Sequence, residues 1–499
     1  MGGPAEPGVV AAVDLGATSG RVILGRIDRG VLQMRHIARF ANNPVHTRDG
    51  MHWNLLELYR EVLLGLAAAE REVPGEIVSV GIDSWGVDYG LFRGDRLLGV
   101  PFHYRDVRND AGVTAVHARI SPEELFARNG LQHLNFNTVY QLVVEQQAAG
   151  ELLSLADRML LIPDLLNFWL TGKAYSERSN ASTTGLLGAK TGEWDLDLAA
   201  SLGIPRAILP PLIDAGAAVG KLSLDVAARV GRALNVVAVG SHDTASAVAA
   251  IPNPGRDFAY VSCGTWGLVG LEIDAPVLSE EARLANFTNE GGVDGRTRFL
   301  HNVMGLWLLS ESLRFWEPAA TDAQRSSLLE ELLSDAARVP SGVPVFDVND
   351  PVFLPAGDVP VRIRNWYGTR GERAPESRAE IVRCIIESLA QAFAAAVHEA
   401  TRLADHDVSV LHIVGVARRM PCCVRPPPIV QDCVWSQAPP RLPRWVTCWC
   451  RPAHSARLAV NSKTFARLLS DPHPSPSTCQ DRLSVWSNVR FPSQRSCST

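Results

Sequence analysis

The sequence predicts an α/β fold of two lobes built on one plan, with a cleft between them. Short apolar runs alternate with helix-periodic segments along the first 415 residues, as expected for sheets covered by helices. Residues 9–25 and 258–271 share one layout: apolar strand, Gly/Thr-rich turn, apolar strand. The chain has 499 residues, 46% of them hydrophobic, which is ample for two sizeable cores.

Each element follows from local pattern. Residues 9–14 make a short apolar strand ending in Asp-Leu-Gly, and residues 21–27 a second strand after a tight turn. Residues 55–72 carry apolar side chains at helical spacing, and residues 76–83 read as a buried strand. Ser121 as N-cap and Pro122 at the first helical position open a helix over 121–129. Residues 138–149 and 163–170 read as further helices. A strand at 235–239 runs into Gly240-Ser-His-Asp-Thr and an Ala-rich helix over 245–250. Strands at 258–262 and 267–272 flank Cys-Gly-Thr-Trp. A long amphipathic helix over 379–403 and a last strand over 408–414 lead to Gly415.

Composition narrows the function classes. A net charge of −5 gives no reason to expect a nucleic-acid partner. No run reaches the ~18 apolar residues that span a bilayer; the best, residues 159–170, is broken by Pro163 and Asp164. The first eight residues, Met-Gly-Gly-Pro-Ala-Glu-Pro-Gly, have neither the basic start nor the apolar core of a signal peptide. A soluble cytoplasmic protein without a membrane partner is expected.

The composition breaks at Gly415. All 40 glycines lie at or before it, and the following 84 residues have none. Those 84 hold seven of the nine cysteines, 12 of the 32 prolines, and 12 Lys/Arg against three acids, a net of +9 that leaves −14 for the rest. Cys448-x-Cys450 and the adjacent Cys422 and Cys423 lack the paired two-residue gaps of a zinc ribbon, and a disulfide scaffold does not suit a cytosolic chain. An irregular tail is expected. A shifted reading frame in a GC-rich gene would produce such an Arg/Pro/Cys/Trp-rich stretch.

Four motifs carry candidate chemistry. In Asp14-Leu-Gly-Ala-Thr-Ser-Gly-Arg21, Gly16 and Gly20 would allow positive φ and close backbone approach, so that successive N–H groups cradle an anion. Thr18, Ser19 and Arg21 add donors, and Asp14 could hold a hydrated Mg²⁺. The plain alternative is a hairpin turn with an exposed Arg. In Ser241-His242-Asp243-Thr244, a carboxylate at a strand-to-helix junction suits a base that takes a proton from a hydroxyl; the alternative is a helix cap. Ser262-Cys263-Gly264-Thr265-Trp266 is the matching turn of the second lobe, able to cradle a terminal phosphate or simply to turn the chain. Cys263 reads as a small buried residue. In Gly81-Ile-Asp-Ser-Trp-Gly-Val-Asp88, Trp faces and carboxylates suit a polyol, or a core Trp at a strand end. Asn302 could add an amide contact, or belong to an ordinary helix start.

Together these blocks resemble the FGGY family of carbohydrate kinases, in the sugar-kinase/hsp70/actin superfamily. Nine segments match in order: 14–21, 81–88, Tyr-Arg-Asp at 104–106, Phe-Asn-Thr-Val-Tyr-Gln-Leu at 136–142, Leu-Thr-Gly-Lys at 170–173, Ser-His-Asp-Thr-Ala-Ser-Ala at 241–247, 262–266, Thr-Asn-Glu-Gly-Gly at 288–292, and Asn-Val-Met-Gly-Leu-Trp-Leu-Leu at 302–309. The resemblance implies two RNase H-like lobes, 9–247 and 248–415, followed by a non-family tail, 416–499. It implies ATP and Mg²⁺ as cofactors, a small-molecule sugar as partner, and a monomer or homodimer.

Trp-Gly-Val-Asp and Asn-Glu-Gly-Gly are similar to the branch that phosphorylates L-rhamnulose at its 1-hydroxyl. The alternatives are another ketose or polyol kinase, or a non-catalytic sugar binder that keeps the fold. By the same resemblance Asp243 would be the general base. Ala17, Thr18, Ser19, Gly20, Arg21, Thr265, Ser310 and Gly415 would hold ATP, and Asp14 the metal. Gly86, His242, Asp243, Thr244 and Asn302 would line the sugar. The family continues Val-Gly-Gly-Gly after the last strand, a loop that packs on adenosine. Here Val416-Ala-Arg-Arg-Met-Pro follows Gly415. A second lobe short of its adenosine loop, with weak or absent activity, is the expected consequence.

Overall fold

The computed structural model describes residues 8–28, 31–251, 257–340 and 342–415. The tail expected to be irregular, with its seven cysteines, lies outside them. In β1 (Val9–Leu15), alternate residues Val9, Ala11, Val13 and Leu15 are buried, the period of a strand with one face on a core. It pairs antiparallel with β2 (Ser19–Asp28), which pairs antiparallel with β3 (Val31–Ala41). On its other side β1 runs parallel to β4 (Ile77–Ser84). β5 (Ala218–Lys221), at the edge, and β6 (Asn235–Val237), between it and β4, complete a six-stranded sheet in the order β5-β6-β4-β1-β2-β3. Helix α1 (Leu55–Glu72) lays Leu58, Val62, Leu66 and Ala69 on this sheet. A Cβ on Gly65 would stand 2.5 Å from Val22 Cγ2, so glycine is what lets the helix sit this close to β2.

The second lobe repeats the plan. β7 (Phe258–Cys263) and β8 (Trp266–Ile273) form the antiparallel hairpin, with β9 (Thr288–Gly291) and β10 (Thr297–Met304) beyond it. β11 (Val410–Gly415) runs parallel to β7, as β4 does to β1. The sheet order is β9-β10-β8-β7-β11. In the first lobe β4 has a further parallel neighbour, β6; among the described residues, β11 has none and forms the sheet edge.

Three further helices matter for the site: α2 (Asp243–Ala249), α3 (Trp307–Trp316) and α4 (Arg378–Ala404). α4 opens with a capping box between Ser377 and Glu380 and buries Ile381, Ile385, Ile386 and Leu389 in the second core. Among the described residues it is the one helix long and apolar enough to cross a membrane, yet half of that stretch is buried inside the protein. Between β4 and β5 an insertion adds its own core around Tyr89, Val116, Leu142 and Leu161. Ser121 caps the helix Pro122–Asn129 as expected, accepting from Glu124 N at 3.1 Å.

Several boundaries differ from the sequence reading. The helix expected over 138–149 runs on to Leu155, and the Ala-rich helix begins at Asp243 rather than 245. His301 and Asn302 lie on β10, not at a helix start. β3 and the helices Asp322–Ala336 and Val359–Gly368 carry too mixed a pattern to have been read.

Candidate active site

Parallel pairing of β1 and β4 makes Asp14 and Asp83 lateral neighbours at the strands' C-terminal ends, where open α/β sheets bind ligands. Ser84 bridges to His242, and Ser84 N donates to Ser241 O at 2.9 Å, which sets the start of α2 beside them. Three carboxylates, Asp14, Asp83 and Asp243, therefore share one electrostatic neighbourhood. Burial pushes the Asp14 carboxyl up, Arg21 at 3.2 Å opposes this, and Asp243 adds to it. Burial, then Asp14 and Asp243, push Asp83 well up. Its Oδ1 is buried without a hydrogen-bond partner. From sequence Asp83 was read only as one of the carboxylates of the 81–88 block, suited to a polyol; the structure sets it beside Asp14 instead.

Asp243 is the first residue of α2, and its half-exposed carboxylate accepts from Thr244 Oγ1 at 3.1 Å. The cap reading is not met: His242 occupies the N-cap, and no side chain bonds there. Thr244 is buried. The His242 ring points across to the second lobe. Its Nδ1 lies 3.2 Å from Glu290 Oε2 on β9 and 3.0 Å from Arg298 Nη2 on β10. Arg298 is wholly buried, pairs with Glu290 at 3.0 Å and donates to Gly291 O at 2.9 Å. Burial works to raise the Glu290 carboxyl, but Arg298 and His242 outweigh it and hold the group below its usual range. Glu290 and Arg298 were missed; the block at 288–292 was legible only as a family match.

The first turn differs from the expected nest. Neither Gly16 nor Gly20 has positive φ. A Cβ on Gly20 would stand 2.2 Å from the Phe40 ring, so packing against β3 explains that glycine. Gly16 N donates to Ser19 O at 2.9 Å, and Asn42 Nδ2 donates to Gly16 O at 2.9 Å. Ala17 packs on the first core, Thr18 is exposed, and Ser19, Gly20 and Arg21 belong to β2.

In the second turn, β7–β11 pairing sets Gly415 beside Cys263, which is buried as expected. Thr265 is exposed, and its carbonyl accepts from Trp307 N at 3.2 Å. Ser310 sits exposed on the first turn of α3. The structure thus gathers Thr265, Ser310 and Gly415 at one end of the second sheet.

The block around Gly86 is held under strain. Val87, a β-branched residue, has φ 69°. Its N–H donates to Thr183 Oγ1 at 3.1 Å, and its carbonyl accepts from Thr138 Oγ1 at 2.6 Å. A Cβ on Gly86 would stand 2.8 Å from the same Thr183 oxygen. Asp88 is buried and accepts from four donors: Trp53 Nε1 (2.6 Å), Trp85 Nε1 (3.0 Å), Gln141 Nε2 (3.0 Å) and Tyr104 N (3.2 Å). Even so, burial pushes its carboxyl up to about 7. Asp88 thereby orients an aromatic wall in which Trp85 is tilted against Trp53, while Trp53, His103 and Tyr104 stack in turn. Asn302 Nδ2 donates to Gln132 Oε1 in the insertion at 2.7 Å, and Asn289 Nδ2 donates to Gly130 O at 3.0 Å. Both bonds join the lobes.

Among the described residues no group of three or more His, Cys, Asp or Glu is set to hold a metal alone. Asp14 with the unpartnered Asp83 oxygen nevertheless fits Mg²⁺, which is usually held by one or two carboxylates, water and substrate phosphates.

The fold and this strand-end site define a two-lobed sugar kinase, and the comparisons agree. The N-terminal domain of the FGGY family of carbohydrate kinases matches residues 9–250, and its C-terminal domain residues 259–425. The chain belongs to the FGGY family of carbohydrate kinases. It is 41% identical over 411 residues to a rhamnulokinase from Pectobacterium carotovorum subsp. carotovorum (strain PC1), covering 81% of this chain and 80% of the relative. It is 38% identical to a rhamnulokinase from Bacteroides thetaiotaomicron, covering 82% and 83%. The fold superposes on xylulose kinase from Lactobacillus acidophilus with a TM-score of 0.66 at 16% identity, covering 85% and 83%. On Plasmodium falciparum glycerol kinase with ADP the TM-score is 0.64 at 14% identity, covering 86% and 85%.

Proposed function

We propose that this protein transfers the γ-phosphoryl group of ATP to the 1-hydroxyl of L-rhamnulose, with Asp243 as general base. The observation that carries the reading is the half-exposed Asp243 carboxylate beside Asp14 and Asp83 at the lobe junction, in a chain whose similar relatives are rhamnulokinases. The 1-hydroxyl gives its proton to Asp243; its oxygen bonds to the γ-phosphorus as the bond to the bridging oxygen breaks, and ADP leaves. Gly86, Thr244 and Asn302 line the ketose, and His242 ties that wall to Glu290 and Arg298. The 14–21 turn, Thr265, Ser310 and Gly415 hold the nucleotide. Asp14 and Asp83 would hold Mg²⁺, which neutralises phosphate charge when bound. The lobes correspond to 9–247 and 248–415, and the site works in the cytoplasm.

The same reading includes impaired turnover. Two facts support it: the composition break after Gly415 and alignments that reach about 80% of the relatives' lengths. A ketose panel with coupled ADP detection tests the reaction. L-rhamnulose should support the highest kcat/KM, with a raised KM for ATP; an equal rate with xylulose or glycerol would refute the substrate. Translating the other reading frames from codon 416 tests the origin of the tail. A Gly-Gly loop and an Ala/Gly-rich continuation should reappear there. Full turnover with a cooperative melt would refute the impairment.

A further inference from the structure

Arg105 occupies a place that neither the core nor the ion pairs of the protein explain. It follows Tyr104 in the first-lobe insertion and is exposed. Its guanidinium carbon lies 5.5 Å from the centre of the Tyr104 ring and 5.1 Å from that of Trp307, the first residue of α3 in the second lobe. Among the described residues no carboxylate pairs with it, whereas Arg108 three residues on is paired with Glu145 at 2.6 Å.

Its surroundings link the two halves of the site. The Tyr104 hydroxyl lies in the fields of both Arg105 and Asp243. Trp307 N donates to the carbonyl of Thr265 at the tip of the second turn. The contacts run Tyr104, Arg105, Trp307, Thr265, from the first-lobe insertion to the nucleotide-side turn. A guanidinium held beside two aromatic rings keeps N–H donors that can turn to phosphate oxygens.

We propose that Arg105 is a phosphoryl-binding residue, whose guanidinium takes the oxygens of the group in transfer and then of the sugar phosphate formed. The assignment rests on the reaction proposed above. It explains a cation without an acid partner between the lobes, because its anion arrives with the substrate. It also makes lobe closure and phosphoryl binding one event: the fork is aligned only while Trp307 lies against it.

Calorimetry on the full chain tests this without requiring turnover. L-rhamnulose and L-rhamnulose 1-phosphate are titrated into wild type, Arg105→Lys and Arg105→Ala, with the melting temperature of each variant recorded. The expected result is a ~10–100-fold loss of sugar-phosphate affinity in Arg105→Ala, in line with loss of a charge-assisted hydrogen bond. L-rhamnulose affinity should stay within about twofold and the melting temperature should be unchanged; Arg105→Lys should fall between, since it keeps the charge and loses the fork. Equal sugar-phosphate affinity in Arg105→Ala and wild type overturns the proposal. A matching loss for both ligands, or a lowered melt, overturns it too, because that marks a structural role. Wild type that binds neither ligand contradicts the proposed reaction and this assignment with it; binding of L-rhamnulose alone contradicts only this one.

Discussion

Removing the Arg298 guanidinium should destabilise the lobe junction out of proportion to its size. Arg298 is wholly buried, and Glu290, His242 and the Gly291 carbonyl all depend on it. Arg298→Met keeps the volume and the stem but leaves Glu290 buried without its arginine partner, facing only the His242 ring. Breaking a buried pair in this way costs about 3–5 kcal/mol. At roughly 2–4 °C per kcal/mol for a lobe of this size, the melt should fall by roughly 6–20 °C. Glu290→Met in the same background removes the orphaned charge, so the double variant should recover at least half of the loss. Thermal unfolding of wild type, both single variants and the double variant measures the coupling. A single variant within about 1 kcal/mol of wild type, or a double variant worse than the sum of the singles, would refute the argument.

Two further outcomes follow from the first lobe. Gly86→Ala drives a Cβ to within 2.8 Å of the Thr183 oxygen that holds Val87, so KM for the ketose should rise at least ~10-fold, as sub-ångström misplacement at a site commonly costs; steady-state kinetics with unchanged KM would count against Gly86 as a lining residue. Asp88 keeps its proton in the native state up to about pH 7, whereas the unfolded chain releases it near 3.8. Native protein then binds the extra proton between those values, so wild type should lose stability relative to Asp88→Asn as pH rises from 4 to 7. Melting temperatures of the two proteins at pH 5 and pH 8 give the sign directly; a gap that moves the other way would mean the four donors dominate over burial.

Much of the fold was legible because its signals are local. The alternation in 9–14 and the helical period of 55–72 are set by burial of one face, and the structure places β1 and α1 there. The repeat of the hairpin was visible in two glycine-containing turns about half the chain apart; the parallel pairing of a further strand beside each was not. What escaped was fixed by partners distant in sequence. Gly20 looked like a phosphate-loop glycine, yet it faces Phe40 across β2–β3 pairing that no local pattern announces. Asp83 and Asp14 become neighbours only through parallel register; Arg298 pairs with Glu290 across the β9–β10 register, and the two meet His242 only when the lobes come together. Asp88 looked like a sugar contact; its four donors come from residues 53, 85, 104 and 141, and it supports the aromatic wall from behind.

The central claim is that the Asp243 carboxylate draws the proton from the ketose as phosphate is transferred. The most direct measurement is L-rhamnulose-dependent ADP release by the full chain beside Asp243→Asn, with sugar binding by each measured separately. Sugar affinity should be kept while turnover, however weak in the parent, falls by about 10²–10⁴-fold. Turnover retained by Asp243→Asn with sugar still bound would contradict the account.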